Sequence, residues 1–329
     1  MLADAELSST MLFAPDSHVP ARCVNVLLER SAAISGVESF GLRMAEFRCL
    51  SNLGPVGMAV RDQPTLREAL AVLLRHLGWL NGAMSLLIEE SAGTVVIRED
   101  IVTGGGEPVR QSIELATGVL VRLMRHFLGP QWRPRRICFT HAAPRDLSTH
   151  LRMFGPCVEF NYDFNGVVCA AGDLDFPNPL ADPGMARYAQ QLVDSALQAQ
   201  AQSMTEDVRR TALLLLPLGR CGIDQVALHL GVVSRTVQRR LAEEGTSFSS
   251  VVNELRVELA QRFVNSSERP ITEVAALLGF SASSGFSRWH QSQFGCSSSQ
   301  ARQQPKPTAA CVSQSGEPRG LARLIGAAV

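Results

Sequence analysis

The stretch Ile223–Leu241, with the sequence IDQVALHLGVVSRTVQRRL, decides how the C-terminal part of the chain folds. Its apolar residues recur with a helical period up to Leu230, and Gly231 follows. A glycine at this point ends a helix, because only glycine adopts the left-handed cap conformation without strain. Ser234 then opens a second helical run, and we expect its hydroxyl to cap that helix. Two short helices joined by a tight turn that contains glycine form a helix-turn-helix.

The second of these helices has two contrasting faces. Val237 and Leu241 are spaced to point into a core. The polar residues left on or near the outer face are Arg235, Gln238, Arg239 and Arg240. Arginine and glutamine are residue types that hydrogen-bond the edges of bases in the major groove. The pattern therefore indicates a helix suited to contact DNA.

The same pattern occurs a second time. Ile271–His290, ITEVAALLGFSASSGFSRWH, repeats the order isoleucine, Val-Ala, Leu-Gly, turn, small polar residues and arginine. Gly231 and Gly279 are separated by the same interval as Ile223 and Ile271. One helical hairpin of this kind occurs in many cores, but two in register joined by one amphipathic helix predict a duplicated helix-turn-helix.

Composition bounds the class of protein. The chain has 329 residues, which suffices for two domains, and its formal net charge is zero. Any binding to nucleic acid must therefore come from local placement of cations, nearly all of them arginine, with Lys306 as the only lysine. The 8 cysteines form no C-x-x-C pair, and we find no signal peptide. The longest apolar run, Ala212–Leu218, is too short to cross a bilayer, so we expect a cytoplasmic protein without a membrane partner.

The N-terminal half mixes helical and strand patterns, which predicts an α+β domain. Thr65 is placed to cap a long helix, and Ala83–Glu89 and Thr94–Arg98 read as paired strands. Gly57–Arg61 is a further candidate strand. Met185–Ala201 is a helix that could connect two domains or be the last helix of the first.

The predicted organisation has five segments. They are a flexible leader (1–21), an α+β domain (22–176), a linker with a connector helix (177–204), an all-α domain with two helix-turn-helix units (205–302), and a mobile tail (303–329) with a short helix at Leu321–Ala328.

The C-terminal segment resembles the DNA-binding domain of the AraC/XylS family of transcriptional regulators. The matching motifs are Val226-Ala227 with Leu230-Gly231, Val237–Leu241, Leu255-Arg256 with Leu259-Ala260, Ile271–Ala275 with Gly279-Phe280, Ser284–Arg288 and Phe294-Gly295. The resemblance implies contacts to double-stranded DNA from Arg235, Gln238 and Arg239 in the first unit and from Ser283, Ser284 and Arg288 in the second. It also implies RNA polymerase as a partner and a transcriptional activator as the more usual role, and it leaves a homodimer open.

Other roles for these residues are open at this point. Arg239 could be a buried partner of a carboxylate, and Ser283 and Ser284 could cap a helix. Arg256 and Glu258 fit an internal salt bridge or a solvated face better than a DNA contact.

The match departs from the family pattern at three places. Val233-Ser234 replace Ser-Pro in the first turn, Trp289-His290 replace a small residue and phenylalanine, and the closing motif lacks its proline and aromatic residue. We expect a shifted cap in the first unit, a weaker core anchor at His290 and altered packing of the last helix.

The N-terminal segment resembles the arabinose-binding type of sensor domain, on Leu53–Gly57, Thr65–Leu70, Phe139–His141 and Phe154-Gly155. The resemblance implies a small organic effector, which we expect in an aliphatic pocket between sheet and helices with few polar groups. The pattern does not identify the residues of that pocket.

Two alternative functions remain. An enzyme or metal-binding protein could use Cys138 and His141 with His150 nearby, although the spacing fits no zinc pattern. A helical module that binds a protein rather than DNA is the other alternative. We expect no cofactor, no metal and no catalytic residues.

Overall fold

The computed structural model describes residues 2, 5–8, 18–103, 107–197, 203–266, 269–303 and 321–323. The chain divides into two compact units. Unit 1 comprises Met1–Ile101, Pro108–Ala201 and Gly320–Val329, and unit 2 comprises Val102–Glu107 and Gln202–Arg319. The predicted combination of an α+β part and an all-helical part is confirmed. Most of the leader and of the tail, for which we predicted mobility, lies outside the described residues.

Unit 1 alternates helices and strands along the chain. In order they are β1 (His18–Pro20), α1 (Ala21–Ser35), α2 (Phe40–Phe47), a short 3-10 helix (Leu50–Leu53), α3 (Gly54–Arg61), α4 (Leu66–Leu80), β2 (Met84–Ser91), β3 (Thr94–Ile101), α5 (Arg110–Leu128), β4 (Arg136–Cys138), α6 (Ser148–Phe154), β5 (Val158–Glu159), β6 (Asn165–Ala170), α7 (Ala171–Leu174), α8 (Pro183–Leu197) and β7 (Leu321–Arg323).

The main sheet has five strands in the order β2-β3-β6-β4-β5. Only β4 and β5 pair in parallel; the other neighbours are antiparallel. The predicted hairpin is confirmed: β2 and β3 pair around Ala92 and Gly93, both of which have a positive φ, as a tight hairpin turn requires. On β3, Val95, Ile97 and Ile101 are buried because alternate residues of the strand face the core.

Helix α5 packs on α2 at very short range. A Cβ at Gly41 would lie 1.9 Å from the carbonyl oxygen of Gln111, so only glycine allows this approach. The side chain of Gln111 seals the contact, since its Oε1 accepts from the backbone N–H of Gly41 at 2.8 Å and its Nε2 donates to the carbonyl of Glu38 at 2.9 Å. The position of α5 between α2 and the sheet is thereby fixed.

Two local predictions for unit 1 are wrong. Gly57–Arg61, the candidate strand, is the second half of helix α3, which has a proline in its first turn and buries Val56, Ala59 and Val60 at helical spacing. Leu321–Arg323, placed in a tail helix, is a strand that pairs with β1. In the segment predicted as a flexible leader, Ala5 and Leu7 are buried and cluster with Val19.

The helix α8 belongs to the core of unit 1. It packs on α3, and Ala189 and Val193 are fully buried in the main cluster. Gln190 Nε2 also lies 2.9 Å from His76 Nε2 on α4. Of the two interpretations of this segment, its packing therefore supports the last helix of the first domain rather than a connector.

Among the described residues, the regular secondary structure of unit 2 is entirely helical. Its helices are α9 (Met204–Leu215), α10 (Ile223–His229), α11 (Ser234–Glu243), α12 (Phe248–Ser266), α13 (Ile271–Leu277), α14 (Ser283–Phe294) and α15 (Ser298–Gln303). Helix α12 contacts α9, α11, α13 and α15, and it buries Val251, Leu255 and Leu259, which recur every four residues on one face. Within the described residues, no helix is both long and apolar enough to cross a membrane.

Helix α9 begins at Met204, one residue before the predicted boundary of the all-α domain at 205. Ser203 is its N-cap and accepts from the N–H of Glu206 at 3.4 Å. Glu244, which follows α11, accepts from the N–H groups of Met204 at 2.7 Å and Thr205 at 2.9 Å. A carboxylate at a helix N-terminus is favourable because it satisfies free N–H groups and faces the positive end of the dipole. Burial raises the pKa of Glu244, but these hydrogen bonds outweigh it and the net pKa is lowered.

Candidate DNA-binding surface and ligand cavity

The first helix-turn-helix consists of α10 and α11. Gly231 has a φ of 66° and ends the first helix as predicted. The predicted cap at Ser234 is wrong: Val233 occupies the N-cap position, and Ser234 is the first residue of α11. The hydroxyl of Ser234 instead donates to the carboxylate of Asp224, so it ties α11 to the start of α10.

Helix α11 turns its polar residues outward. Val237 and Leu241 are completely buried, whereas Arg235, Gln238 and Arg239 are exposed. The guanidinium of Arg239 pairs with Glu243 on the same helix at 2.7 Å, and the two side chains are 62% and 58% exposed. The alternative of a buried carboxylate partner for Arg239 is therefore wrong. All three residues are available to a ligand that approaches this face.

The second helix-turn-helix, α13 and α14, is built in the same way. Gly279 has a φ of 72°, and Phe286 is completely buried. Ser283, Ser284 and Arg288 are exposed on α14. The N-cap of α14 is Ala282, so neither serine is the capping residue.

The two residues that depart from the family pattern in α14 both have structural partners. His290 is 2% exposed; its ring lies 4.5 Å from that of Phe294, and its Nδ1 lies 2.9 Å from the carbonyl oxygen of Cys296. Trp289 donates from Nε1 to Oδ1 of Asn253 on α12 at 2.8 Å. The imidazole therefore fills the core position that we expected it to anchor weakly.

The last helix of unit 2 forms without the family's proline. Ser297 and Gln300 cap it reciprocally: the N–H of Gln300 donates to Ser297 Oγ at 3.2 Å, and the N–H of Ser297 donates to Gln300 Oε1 at 3.0 Å. This is the capping-box arrangement.

The two charged residues of α12 contact the interior of unit 2 and not each other's side chains. Arg256 donates from Nε to the carbonyl of Leu278 at 3.0 Å, and its guanidinium lies 4.9 Å from the centre of the Phe280 ring. Glu258 forms a buried ion pair with Arg209 on α9. The predicted internal salt bridge is thus confirmed for Glu258, whereas Arg256 is half-buried and contacts a carbonyl group and an aromatic ring instead.

Unit 1 contains a cavity of about 300 Å³ between the β2–β3 hairpin and helices α1, α4 and α5. Its walls are mainly aliphatic and include Leu28, Leu77, Leu80, Leu120, Leu123 and Ile101. The expectation of an aliphatic pocket between sheet and helices is confirmed as a feature of the fold.

Three deeply buried polar residues also line this cavity. Asn25 on α1 accepts from the hydroxyl of Ser112 at 2.6 Å, and Glu99 on β3 is hydrogen-bonded to Thr117 on α5. Asn25 is 3% exposed and Glu99 is 1% exposed. Among the described residues, Nδ2 of Asn25 and Oε2 of Glu99 have no hydrogen-bond partner. Burial, the largest effect, raises the pKa of Glu99 to about 8.

Sequence reasoning did not identify these pocket residues, although one pattern points to Glu99. Val95, Ile97, Glu99 and Ile101 alternate along β3 and share one face. A glutamate in an otherwise aliphatic inward series is a buried polar group that needs an explanation.

The two histidines of the enzyme or metal alternative lie beside a buried glutamate. His141 Nε2 and His150 Nε2 lie 3.4 Å and 3.3 Å from Glu114 Oε1, in a cluster packed against Phe139. Burial raises the pKa of Glu114, but His150, His141 and Arg110 outweigh it and the net pKa is lowered. In the part of the chain that the structure describes, no three His, Cys, Asp or Glu side chains could hold a metal ion. Burial raises the pKa of the Cys138 thiol to about 12, so it is not a ready nucleophile.

Comparison with known proteins accounts for most of the chain. The model of the N-terminal arabinose-binding domain of AraC transcription regulators matches residues 1–178, and a helix-turn-helix domain model matches residues 226–304. The HTH-type transcriptional regulator VirS of Mycobacterium tuberculosis (strain CDC 1551 / Oshkosh) is 31% identical over 278 residues, which cover 84% of this chain and 82% of VirS. The ornithine utilization regulator of Pseudomonas aeruginosa is 25% identical over 313 residues, covering 92% and 89%.

Among solved structures, the transcriptional regulator CdpR from Pseudomonas aeruginosa aligns with a TM-score of 0.44 at 20% identity, covering 92% of this chain and 95% of CdpR. The two family models and the similarity to VirS identify the protein: the chain belongs to the AraC family of transcriptional regulators, with an arabinose-binding-type N-terminal domain and a helix-turn-helix DNA-binding domain at its C-terminal end.

Proposed function

We propose that α11 and α14 are the recognition helices and that each enters a major groove of operator DNA. The DNA-contacting residues would be Arg235, Gln238 and Arg239 on α11 and Ser283, Ser284 and Arg288 on α14. The observation that carries this proposal is the orientation of α11, which buries Val237 and Leu241 and exposes its arginines and glutamine. A helix with this distribution presents base-reading groups on a rigid core.

The three residues of α11 divide the recognition task by their chemistry. Arg235 and Gln238 are three positions apart and share one face, so they can contact neighbouring base pairs. Arginine donates two hydrogen bonds to O6 and N7 of guanine, and glutamine pairs with N6 and N7 of adenine. Arg239 would exchange its exposed ion pair with Glu243 for a base or a phosphate. Because exposed ion pairs contribute little stability, that exchange costs little.

Unit 1 would sense a small organic effector, and its cavity supports this role. A pocket of about 300 Å³ with aliphatic walls and a few buried polar groups fits a small molecule. Effector binding changes activity only through a difference in its affinity for two states of the protein. The bound state would activate transcription through RNA polymerase, and a homodimer would place two copies on one operator. The protein would act in the cytoplasm, where its DNA is.

The DNA contact can be tested on the full chain with an operator selected from a random duplex pool. Arg239→Ala should weaken binding to that operator by roughly 1–3 kcal/mol, about 5- to 150-fold in Kd. Arg187→Ala removes the same charge from an exposed site on α8 and serves as the control. Equal affinities of the two variants at matched salt would refute the assignment of α11.

Salt dependence separates DNA binding from the alternative of a protein-interaction module. Contacts to phosphates release counterions, so log Kd must rise steeply with log salt. An affinity for duplex DNA that salt does not change would favour the interaction module.

A further inference from the structure

We infer that the cavity of unit 1 takes a small, uncharged, predominantly aliphatic molecule with a hydroxyl group, which would bind between Asn25 and Glu99. The inference rests on the effector role proposed above and adds the chemical class of the effector.

The size and the walls of the cavity indicate a small, predominantly aliphatic ligand. About 300 Å³ holds roughly ten non-hydrogen atoms, at some 30 Å³ for each water-sized group. Most of the lining residues are leucine, isoleucine or valine, either buried or half-buried, and these side chains gain from contact with an aliphatic ligand. The polar residues Arg48, Cys49, Asn52 and Asn81 also line the cavity, but each of them is exposed or half-buried. The polar groups deep in the cavity are therefore those of Asn25, Glu99 and Ser112.

Glu99 offers a neutral carboxyl group rather than a charge. It is 1% exposed, and its hydrogen-bond partner is the hydroxyl of Thr117. Burial raises its pKa to about 8, so the carboxyl keeps its proton at neutral pH. An ammonium ligand would need the ionised carboxylate, and a carboxylate ligand would bring a charge into an aliphatic cavity. Both charged classes are disfavoured by the cost of desolvating a charge.

The hydrogen bonds of Thr117 determine which oxygen of Glu99 is left to accept a hydrogen bond from the ligand. Thr117 Oγ1 lies 2.9 Å from the carbonyl oxygen of Ile113, one turn earlier on α5. The hydroxyl has one proton, and donating it to Ile113 leaves Oγ1 to accept the proton of Glu99. The remaining oxygen, Oε2, then accepts a hydrogen bond and has no partner among the described residues.

Asn25 supplies the complementary donor. Its Oδ1 accepts from Ser112, which leaves Nδ2 as a donor without a partner in the described part of the chain. One unpaired acceptor and one unpaired donor, both buried, are satisfied by a hydroxyl group, which accepts and donates at once. A ketone can only accept, so it would leave the acceptor of Glu99 without a hydrogen bond.

The test compares four probes of nearly equal size: 1-nonanol, 2-nonanone, nonylamine and nonanoate. Their affinities for the full chain are measured by titration calorimetry at pH 7. We expect 1-nonanol to bind about tenfold more tightly than 2-nonanone, and both charged probes to bind more weakly than either. Tighter binding of nonylamine or nonanoate, or no binding of any probe, would overturn the inference.

Two substitutions of Glu99 test whether this residue causes the preference for 1-nonanol over 2-nonanone. Glu99→Leu should reduce the preference for 1-nonanol over 2-nonanone to about onefold, since the acceptor is gone. Glu99→Gln keeps a carbonyl oxygen and should retain the preference. Glu114→Gln changes another fully buried glutamate of unit 1 outside the cavity lining and is the matched control. An unchanged preference in Glu99→Leu would refute the role of Glu99 even though the variant folds and binds.

A second readout separates this inference from the effector role. Operator affinity and transcription in vitro are measured with and without the probe that binds best. If 1-nonanol binds with the expected selectivity and changes neither, the cavity chemistry stands and the effector role fails. If a charged probe binds and changes operator affinity, the effector role stands and the assigned ligand class is wrong.

Discussion

Arg209 and Glu258 form a buried ion pair that joins α9 to α12, and each side chain is only 9% exposed. Removing one partner takes the opposite charge away from a group that stays buried, and breaking a buried ion pair in this way costs about 3–5 kcal/mol. We expect Arg209→Ala to lower the free energy of local unfolding of α9 and α12 by this amount. Hydrogen exchange measured on peptides from these two helices reports it, separately from unit 1.

The double variant Arg209→Met with Glu258→Leu serves as the control for that prediction. Apolar residues of similar size often replace a buried ion pair at little cost. Exchange in α9 and α12 should therefore return close to that of the unchanged protein. A double variant as unstable as Arg209→Ala would show that side-chain shape, rather than the loss of the opposite charge, determines the effect.

Gly231 and Gly279 occupy equivalent turns but have different surroundings. Both have a positive φ, and alanine in that conformation costs about 1–2 kcal/mol. A Cβ at Gly231 would meet nothing within 4 Å, whereas one at Gly279 would lie 3.0 Å from the carbonyl oxygen of Leu216. We expect Gly279→Ala to lower the melting temperature of unit 2 more than Gly231→Ala does. Equal shifts in a calorimetric scan would mean that the chain near Leu216 gives way without cost.

The turns and the amphipathic helices could be predicted because their causes are local. Thr65 caps α4 as expected, accepting from the N–H of Glu68 at 3.3 Å, and the two turn glycines end α10 and α13. The capping box of Ser297 and Gln300 is equally local and was readable from their spacing. These features depend on residues within one turn of each other.

Features that depend on distant residues could not be predicted in the same way. Glu244 caps α9 from beyond α11, and no local pattern at Met204 predicts it. Gly57 lies inside helix α3, where the absence of a side chain leaves room for the carbonyl of Leu50, a contact that exists only after folding. The partners of Asn25 and Glu99 both lie on α5, so the alternation along β3 marks Glu99 as a buried polar residue but does not place it in a cavity with Asn25. The six proposed DNA contacts remain predictions, although their exposure agrees with that role.

Glu99 should make the stability of unit 1 depend on pH. Its pKa is about 8 in the folded chain against an ordinary value of 4.5, so the unfolded state loses this proton first as the pH rises. The contribution of Glu99 to stability is complete below pH 4.5 and is lost progressively up to about pH 8. Glu99→Gln does not titrate, so we expect it to raise the melting temperature relative to the unchanged protein at pH 8 but not at pH 4.5.

Glu114→Gln should change the stability of the folded chain in the opposite direction. The pKa of Glu114 is lowered, so its ionised form stabilises the folded chain, and the glutamine variant should lose stability at neutral pH. If the melting temperatures of Glu99→Gln and the unchanged protein differ by the same amount at every pH from 4.5 to 8, Glu99 is not held protonated in the folded state.

The second recognition helix should contribute to operator binding through Arg288. This residue is exposed on α14, while Phe286 and His290 on the same helix are buried, so the backbone that carries Arg288 is fixed by the core. Arg288→Ala should weaken binding to the selected operator by roughly 1–3 kcal/mol.

If Arg288 contacts a base, the loss is confined to operators that keep that base pair, and specificity at one position relaxes. If it contacts a phosphate, affinity falls for every sequence and the slope of log Kd against log salt decreases by about one. Ser283→Ala and Ser284→Ala should change affinity less, because their side chains are short and uncharged. An Arg288→Ala protein that selects the same operator with the same affinity and the same salt slope as Arg187→Ala would leave α11 as the recognition helix and remove α14 from the interface.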